Sequence, residues 1–226
     1  MANGFTVVDL STVLTTHLSE IIRQYAFELL GRQEVQQLID AIKNAYPKLV
    51  EEVIPSQLPL GGVVRVLQNL LREQIPIRDL RTILETLADW APMTKDVDVL
   101  TEQVRQGLAR TITRLYQAPD GSIPLLTVDQ SLERIIGDAL QHTDQGTYLA
   151  MEPKTAQRIL NTLARKMEKF TAMNSQPVIL CSSQIRSHFK RLTERLIPNL
   201  VVLSHNDLLV DAKITSLGTV GVSDAN

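Results

Sequence analysis

The stretch Ala118-Pro-Asp-Gly-Ser-Ile-Pro-Leu-Leu-Thr-Val128 decides the fold of this 226-residue chain. Its first half, residues 118–122, is the strongest turn signal in the sequence, because proline and glycine interrupt regular structure. Its second half, residues 123–128, is an apolar run rich in branched side chains and bounded by turn residues, which predicts a strand. The two halves together predict a domain boundary near residues 118–122.

The sequence before this turn has the apolar spacing of helices almost continuously over residues 12–116. We predict that Asp9, Ser11 or Thr12 caps the first helix and that Gly31 ends it in the left-handed conformation. Gly61-Gly62 is interpreted as a turn before a helix, and Pro76 as a first-turn residue. The predicted elements are a short β-like run at residues 5–8 and helices at about 12–30, 33–46, 62–74, 77–90 and 97–117.

The sequence after the turn alternates strands with helices, a pattern typical of a small layered α/β domain. Asp129 is predicted to cap the first of these helices. We therefore predict an α+β multidomain protein, in which an all-helical domain is followed by a small α/β domain. The predicted strands lie at about residues 123–128, 178–180, 200–203 and 212–222, the helices at about 130–141, 153–173 and 183–196, and a polar stretch at 142–146.

The composition excludes several classes of protein. The 23 basic and 25 acidic residues nearly cancel, so no basic excess favours nucleic acid as a partner. No apolar run approaches the roughly 18–20 residues that a membrane-spanning helix needs. The single cysteine, Cys181, excludes an intramolecular disulfide and a multi-cysteine metal site, which fits a reducing compartment.

Cys181 is the strongest candidate for a catalytic residue. It ends a predicted strand and precedes a predicted helix, where the helix dipole can lower a thiol pKa. The cysteine phosphatases need Cys-x5-Arg with glycines, whereas Cys181-Ser-Ser-Gln-Ile-Arg186 is one residue short and has no glycine. A small buried apolar residue is the favoured interpretation. A Cys181-dependent hydrolase or sulfurtransferase stays an alternative, and it predicts a depressed thiol pKa.

No other pattern indicates catalysis or metal binding. His17, His142, His188 and His205 lack the spacing of a helical metal site, and no nucleophile elbow or phosphate-binding loop is present. The helix predicted over residues 183–196 carries a basic stripe, interpreted as a solvated or protein-facing patch, with a nucleic-acid binder as the alternative. We expect no enzyme, no cofactor and no metal. The stripe consists of Arg186, Lys190, Arg191 and Arg195.

Several long blocks resemble the FlhA/InvA/LcrD family of type III secretion export-gate proteins, and specifically its flagellar members. The resemblance covers nearly the whole chain and is loosest over residues 118–173. The blocks are Val7-Val-Asp-Leu-Ser-Thr-Val-Leu-Thr-Thr-His-Leu-Ser-Glu20, Glu28-Leu-Leu-Gly-Arg-Gln-Glu34, Tyr46-Pro-Lys-Leu-Val-Glu-Glu52, Val66-Leu-Gln-Asn-Leu-Leu-Arg-Glu73, Ile77-Arg-Asp-Leu-Arg-Thr-Ile-Leu-Glu-Thr-Leu-Ala88, Leu100-Thr-Glu-Gln-Val-Arg105, Pro177-Val-Ile-Leu-Cys181 and Leu200-Val-Val-Leu-Ser204.

The resemblance implies a piece of a longer chain. A membrane-spanning half and four cytoplasmic subdomains are typical of the family. By this resemblance, residues 1–24 are the end of the first subdomain, residues 25–117 the all-helical third and residues 118–226 the α/β fourth. The membrane half, most of the first subdomain and all of the second would then be missing, and the chain would be a soluble part of an inner-membrane protein on its cytoplasmic side.

The resemblance also implies partners and a docking site. Family members form a nine-membered ring and receive export chaperones with their substrates, beside an export ATPase and other gate subunits. The docking positions present here are Val8, Val13 and Thr16, while Leu10, Thr15 and Phe27 depart from the family pattern. Without the resemblance, the residues favour the alternative that Val8, Val13 and Leu18 are core. The alternative function is the homologous gate protein of a virulence injectisome.

Overall fold

A computed structural model describes residues 9–143, 146–173 and 175–221. The chain divides into two compact units, residues 1–101 and 102–226. The first is helical, and the second contains a parallel sheet with helices, so the predicted fold class is confirmed. The predicted run at residues 5–8 and the end of the predicted tail, Val222, lie outside the described residues.

The helices follow the predicted order, with one unpredicted short helix at Pro47–Glu51. The first predicted helix and the one predicted over residues 97–117 are each divided in two, the latter at Leu108. The first predicted helix breaks at Tyr25, and a π-helical segment, Glu52–Gln57, follows the fourth helix. The helices are α1 Leu10–Gln24, α2 Ala26–Leu29, α3 Arg32–Lys43, α4 Pro47–Glu51, α5 Leu60–Arg72, α6 Leu80–Trp90 and α7 Val97–Gly107, whose second half belongs to unit 2.

The core of unit 1 is organised around α5. This helix contacts α2 and α3, and α6 packs against α4 and the π-helical segment. Each fully buried aliphatic side chain contributes about 1.5–3 kcal/mol relative to an exposed one. The fully buried residues of α5 and α6 include Val63, Val66, Leu67, Leu70, Ile83, Leu84 and Leu87.

Gly31 was expected to end the first helix in the left-handed conformation, and this prediction is wrong. Its φ is −94°, in the extended region, and it begins α3 instead. The Gly31 N–H donates to Glu34 Oε2 at 2.9 Å, so the glutamate side chain satisfies a backbone donor that the helix leaves free. The helix before it ends at Leu29.

Two further turn assignments in unit 1 also need correction. Gly61 and Gly62 lie inside the first turn of α5, where an ideal Cβ on Gly62 would lie 2.8 Å from the Leu58 side chain. Close packing therefore explains this glycine. Pro76 lies outside α6, because Asp79 Oδ1 accepts from Thr82 N at 3.2 Å and starts the helix there.

Unit 2 is built on a four-stranded parallel sheet of β1 Ser122–Val128, β4 Val178–Cys181, β5 Val201–Ser204 and β6 Lys213–Val220, in the order β5-β4-β1-β6. All four residues of β4 are buried, as is typical of parallel strands covered on both faces. The elements are α8 Ala109–Tyr116, β1 Ser122–Val128, α9 Gln130–Asp138, β2 Leu140–Thr143, β3 Gly146–Leu149, α10 Pro153–Ala172, β4 Val178–Cys181, α11 Arg186–Thr193, β5 Val201–Ser204, a 3-10 turn His205–Asp207 and β6 Lys213–Val220.

The turn that opens β1 has the predicted chemistry. Gly121 has a φ of +78°, which glycine adopts without steric cost, and Asp120 Oδ1 accepts from Ser122 N at 3.0 Å. Asp129 caps α9 as predicted, accepting from Leu132 N at 2.7 Å.

The polar stretch at residues 142–146 was not predicted to have regular structure. The structure places much of it in an antiparallel pair, β2 with β3, in which Leu140 is paired with Leu149. His142 Nδ1 and Thr147 Oγ1 lie 2.8 Å apart across this pair. The preceding helix, α9, correspondingly ends at Asp138 instead of residue 141.

The two compact units divide within α7, earlier than the boundary predicted at residues 118–122. The second half of α7 and all of α8 belong to unit 2 because their polar side chains bind there. Arg105 pairs with Asp207, and the Thr113 hydroxyl accepts from Leu209 N at 3.0 Å. The division into subdomains at residues 1–24, 25–117 and 118–226 rests on the family resemblance and stays a prediction.

Candidate functional site

Two of the three candidate docking residues, Val13 and Thr16, lie on α1, and Asp9 caps the start of this helix. Asp9 Oδ1 accepts from Thr12 N at 2.8 Å, and Asp9 Oδ2 accepts from Thr12 Oγ1 at 2.8 Å. The hydrogen bond from the Thr12 N–H, followed by that from its hydroxyl, lowers the pKa of the Asp9 carboxyl. A carboxylate at this end also suits the positive end of the helix dipole.

One side of α1 is an exposed apolar face, although the helix carries no buried residue. Large apolar side chains recur along this side at helical spacing. Contiguous exposed apolar surface of this kind typically marks a site of protein–protein contact. The apolar face, with its exposed fractions, consists of Leu10 (74%), Val13 (47%), Leu14 (59%), Leu18 (58%), Ile21 (40%) and Ile22 (49%).

The structure places two of the three candidate docking residues together. Val13 and Thr16 lie at i and i+3 on α1, so their side chains are neighbours, and both are exposed. Val8 lies outside the described residues. The alternative that Val13 and Leu18 are core is wrong, because 47% and 58% of their surfaces are exposed. Thr16 therefore borders the apolar face and adds a hydroxyl to it.

Cys181 does not have the properties of a nucleophile. Its side chain is 1% exposed, and the thiol donates to the Leu203 carbonyl at 3.6 Å. Burial raises the pKa of the Cys181 thiol far above its ordinary value, although Arg186 acts in the opposite direction. The alternative of a Cys181-dependent enzyme required a lowered pKa, so the structure contradicts it.

The basic stripe of α11 is only partly available to solvent. Arg186 is 1% exposed, and its guanidinium forms a bidentate ion pair with Glu102 and donates to the Val202 carbonyl at 3.3 Å. Lys190 Nζ donates to the Leu200 carbonyl at 2.7 Å. The interpretation of the stripe as a solvated patch is wrong for Arg186, and the nucleic-acid alternative loses its first cation. Sequence spacing gave no signal for the Glu102 partner, which lies 84 residues away.

Among residues 9–143, 146–173 and 175–221, no group of three or more His, Cys, Asp or Glu side chains is placed to hold a metal ion. In the same residues, no helix combines the length and apolar character needed to cross a membrane.

Comparison with solved structures defines the class of protein. The Chlamydia pneumoniae CdsV protein superposes with a TM-score of 0.87 at 33% identity, over 92% of this chain and 60% of that one. Nonameric EPEC SctV-C gives a TM-score of 0.84 at 32% identity, over 92% of this chain and 62% of that one. The fold is that of the C-terminal domains of type III secretion export-gate proteins.

Sequence comparison identifies the family. The chain is 42% identical over 219 residues to flagellar biosynthesis protein FlhA of Bacillus subtilis, covering 97% of this chain and 32% of that protein. It is 40% identical to FlhA of Salmonella typhimurium, covering 96% of this chain and 31% of that protein. The FHIPEP family model matches residues 1–213, and the chain belongs to the FHIPEP family. The resemblance seen in the sequence is thus confirmed, and the chain spans about a third of the length of these relatives.

Proposed function

We propose that this chain forms part of the docking and ring-forming platform of a flagellar type III protein export gate. In this proposal the platform receives complexes of export chaperones with their substrates. It lies on the cytoplasmic side of the bacterial inner membrane, beside the export ATPase complex and other gate subunits. It binds its partners without catalysing a reaction.

The observation that carries the docking proposal is the apolar face of α1. Val13 lies at the edge of this face with Thr16 next to it, and nothing in the described part of unit 1 buries either side chain. A hydroxyl beside exposed aliphatic groups can orient a partner through one hydrogen bond while apolar burial supplies affinity. Val8, Val13 and Thr16 are therefore proposed as the part of the docking site that this chain contributes.

Self-association is supported by one of the solved relatives and by a second exposed surface. EPEC SctV-C, 32% identical to this chain, is nonameric. In unit 1, an open groove of about 380 Å³ runs beside α3 and the start of α6, and Leu38, Ile42 and Ile77 give it an apolar lining. Such a groove fits a helix of a neighbouring copy, by burial of apolar side chains. We propose that it contributes to a ring of nine copies in the longer protein.

The flagellar assignment is favoured over the injectisome alternative by sequence identity. The FlhA relatives are 34–42% identical to this chain, whereas the solved relatives, which include CdsV and InvA, are 26–33% identical. The CdsV relative is solved in complex with CdsO, which supports contact of this chain with a comparable partner protein.

The two export systems are distinguished by partner capture. The test immobilises the longer protein, with its preceding cytoplasmic segments restored, and presents purified flagellar chaperone–substrate complexes beside injectisome complexes. We expect retention of the flagellar complexes alone. Retention of the injectisome complexes alone, or of neither set, contradicts the proposal.

A further inference from the structure

The outer face of α10 carries a row of three cations, Lys154, Arg158 and Arg165. All three are exposed, and they line an open depression of about 310 Å³. They lie four and then seven residues apart, so at 100° per residue they fall on one line along the helix. The rise of 1.5 Å per residue separates them by about 6 and 10 Å. We call these three residues the α10 stripe.

The side chains of the α10 stripe have no hydrogen-bonding or ionic partner among the described residues, unlike several other cations of unit 2. Arg105 and Arg186 are held in ion pairs, and Lys169 Nζ donates to the Leu217 carbonyl at 2.7 Å. Lys166, the remaining cation of α10, also has a partner. The α10 stripe is therefore an unneutralised row of charge in a chain whose net charge is −2.

The space between the cations is polar but uncharged. Gln157 Nε2 donates to Asn161 Oδ1 at 2.9 Å, so these two amides hold each other on the surface of the helix. Both line the same depression as the α10 stripe. The arrangement leaves three separate positive positions on a rigid helix, which suits anions at fixed spacing more than a diffuse counterion cloud.

The remainder of α10 argues against a membrane or a nucleic acid as the partner. The apolar side of the helix, including Ile159 and Leu163, is buried within unit 2, so no exposed apolar face is available to enter a bilayer. The only aromatic residue of α10, Phe170, is 1% exposed and offers no surface on which bases could stack. A protein partner with carboxylates is the class that the surface fits.

We propose that the α10 stripe docks an acidic helical segment of a partner protein, with carboxylates spaced to meet Lys154, Arg158 and Arg165. Neighbouring side chains on a helix face give such a segment the same line of charges at the same rise. The contact would be electrostatically steered and sensitive to salt. It is distinct from the apolar face of α1.

Nuclear magnetic resonance titration tests this directly. The probe is an alanine-based helical peptide with glutamates at the spacing of the three cations, and the control peptide has glutamine at those positions. At low ionic strength we expect amide shift changes concentrated at residues 154–165 for the glutamate peptide only. They should diminish at about 0.15 M salt, where the Debye length falls to about 8 Å.

Charge-matched variants make the test specific. We expect Lys154→Gln/Arg158→Gln/Arg165→Gln to weaken binding about tenfold through loss of the three pairs. The control Arg114→Gln/Arg134→Gln/Arg195→Gln removes the same charge from exposed residues without partners among the described residues, and should have a much smaller effect. Circular dichroism verifies that both variants are folded. As a second test, the charge-reversed variant Lys154→Glu/Arg158→Glu/Arg165→Glu should bind a peptide with lysines at the glutamate positions.

Several results would overturn the proposal. Equal weakening by the two triple variants would mean non-specific attraction, and equal binding of the glutamine peptide would remove the role of charge. Shift changes spread over unit 2, or absent, would exclude a site on α10. Stronger binding to anionic phospholipid vesicles or to single-stranded RNA than to the peptide would assign the surface to another class of partner.

Discussion

Arg105 and Asp207, which lie 102 residues apart, form a bidentate ion pair inside unit 2. Arg105 Nε and Nη2 donate to the two carboxylate oxygens at 3.1 and 2.9 Å, and the side chains are 2% and 1% exposed. Asp207 also accepts from Ser204 N at 2.7 Å. The pair connects α7 to the 3-10 turn that follows β5. The sequence predicted that all of α7 belongs to the helical domain, but its last turns lie in unit 2.

Breaking this pair is expected to destabilise unit 2 strongly. Arg105→Met leaves the Asp207 carboxylate buried without its partner, which typically costs about 3–5 kcal/mol. Arg110→Met is the control, since Arg110 is exposed on α8 and is expected to change stability by no more than about 0.5 kcal/mol. Urea unfolding followed by far-UV circular dichroism measures both. Equal stabilities of the two variants would show that the pair contributes little.

Two helical glycines are expected to respond to alanine in opposite directions. Gly62→Ala should destabilise, because its Cβ would lie 2.8 Å from the buried Leu58 side chain. Gly137→Ala should stabilise by about 0.5–1 kcal/mol, because no atom lies within 4 Å of the new Cβ and alanine favours the helix. Thermal unfolding of the two variants checks the signs. Stabilisation by Gly62→Ala would contradict the close packing of α5.

The Cys181 thiol is expected to be unreactive in the folded protein. Its side chain is 1% exposed, and burial raises the pKa of the thiol, so the thiolate that attacks thiol reagents is scarce. Labelling with a maleimide at pH 8 should be slow in buffer and fast in denaturant. Cys181→Ser should preserve partner binding while lowering stability by about 1–3 kcal/mol through the buried hydroxyl. Fast labelling of the folded chain would contradict the structure.

The start of α1 is expected to depend on pH through Asp9. Hydrogen bonds from Thr12 depress the folded pKa below the ordinary 3.8. A depressed carboxyl pKa means that its stabilising effect is complete above 3.8 and is lost as the pH falls through the folded value. Carbon chemical shifts of residues 10–13 should therefore stay helical at neutral pH and lose helicity below the ordinary value. Asp9→Ala should show reduced helicity at neutral pH, and an unchanged start of α1 in this variant would contradict the cap.

Local chemistry made much of the fold predictable. Asp9 and Asp129 precede apolar helical patterns, and both cap helices as expected. The turn containing Gly121 also has the expected conformation, because proline, aspartate and glycine restrict short segments strongly. These signals depend on neighbours within a few residues, and sequence alone contains them.

One failure is local, and the others involve contacts between distant parts of the chain. Gly31 is a glycine at a plausible helix end, but its N–H donates to the Glu34 side chain three residues later, and Gly31 begins the next helix. Arg186 belongs to a basic stripe that was predicted to be exposed, yet it is buried in an ion pair with Glu102. Spacing cannot reveal partners 84 or 102 residues away, so neither the buried ion pairs nor the extent of unit 2 was predictable.

The candidate site was predictable only in part. The family resemblance selected Val13 and Thr16, and their helical spacing predicts that they are neighbours. Sequence periodicity does not distinguish an exposed apolar face from a core face, so the exposure of Val13 required the structure. The sequence analysis also missed the α10 stripe. The spacing of its cations, four and then seven residues, places them on one line of a helix, but the absence of ionic partners among the described residues required the structure.

The central proposal is tested most directly by calorimetric titration of the longer protein with a flagellar chaperone–substrate complex. Val13→Asp/Thr16→Asp places two charges on the docking residues, whereas Ser11→Asp/Thr15→Asp places two charges at exposed positions that, at 100° per residue, lie on the side of α1 turned away from Val13 and Thr16. We expect the first variant to weaken binding at least about tenfold, equivalent to about 1.4 kcal/mol, and the second to bind like the unmodified protein. Unchanged binding by Val13→Asp/Thr16→Asp, or equal loss in both variants, would contradict the proposal that this face of α1 receives export chaperones.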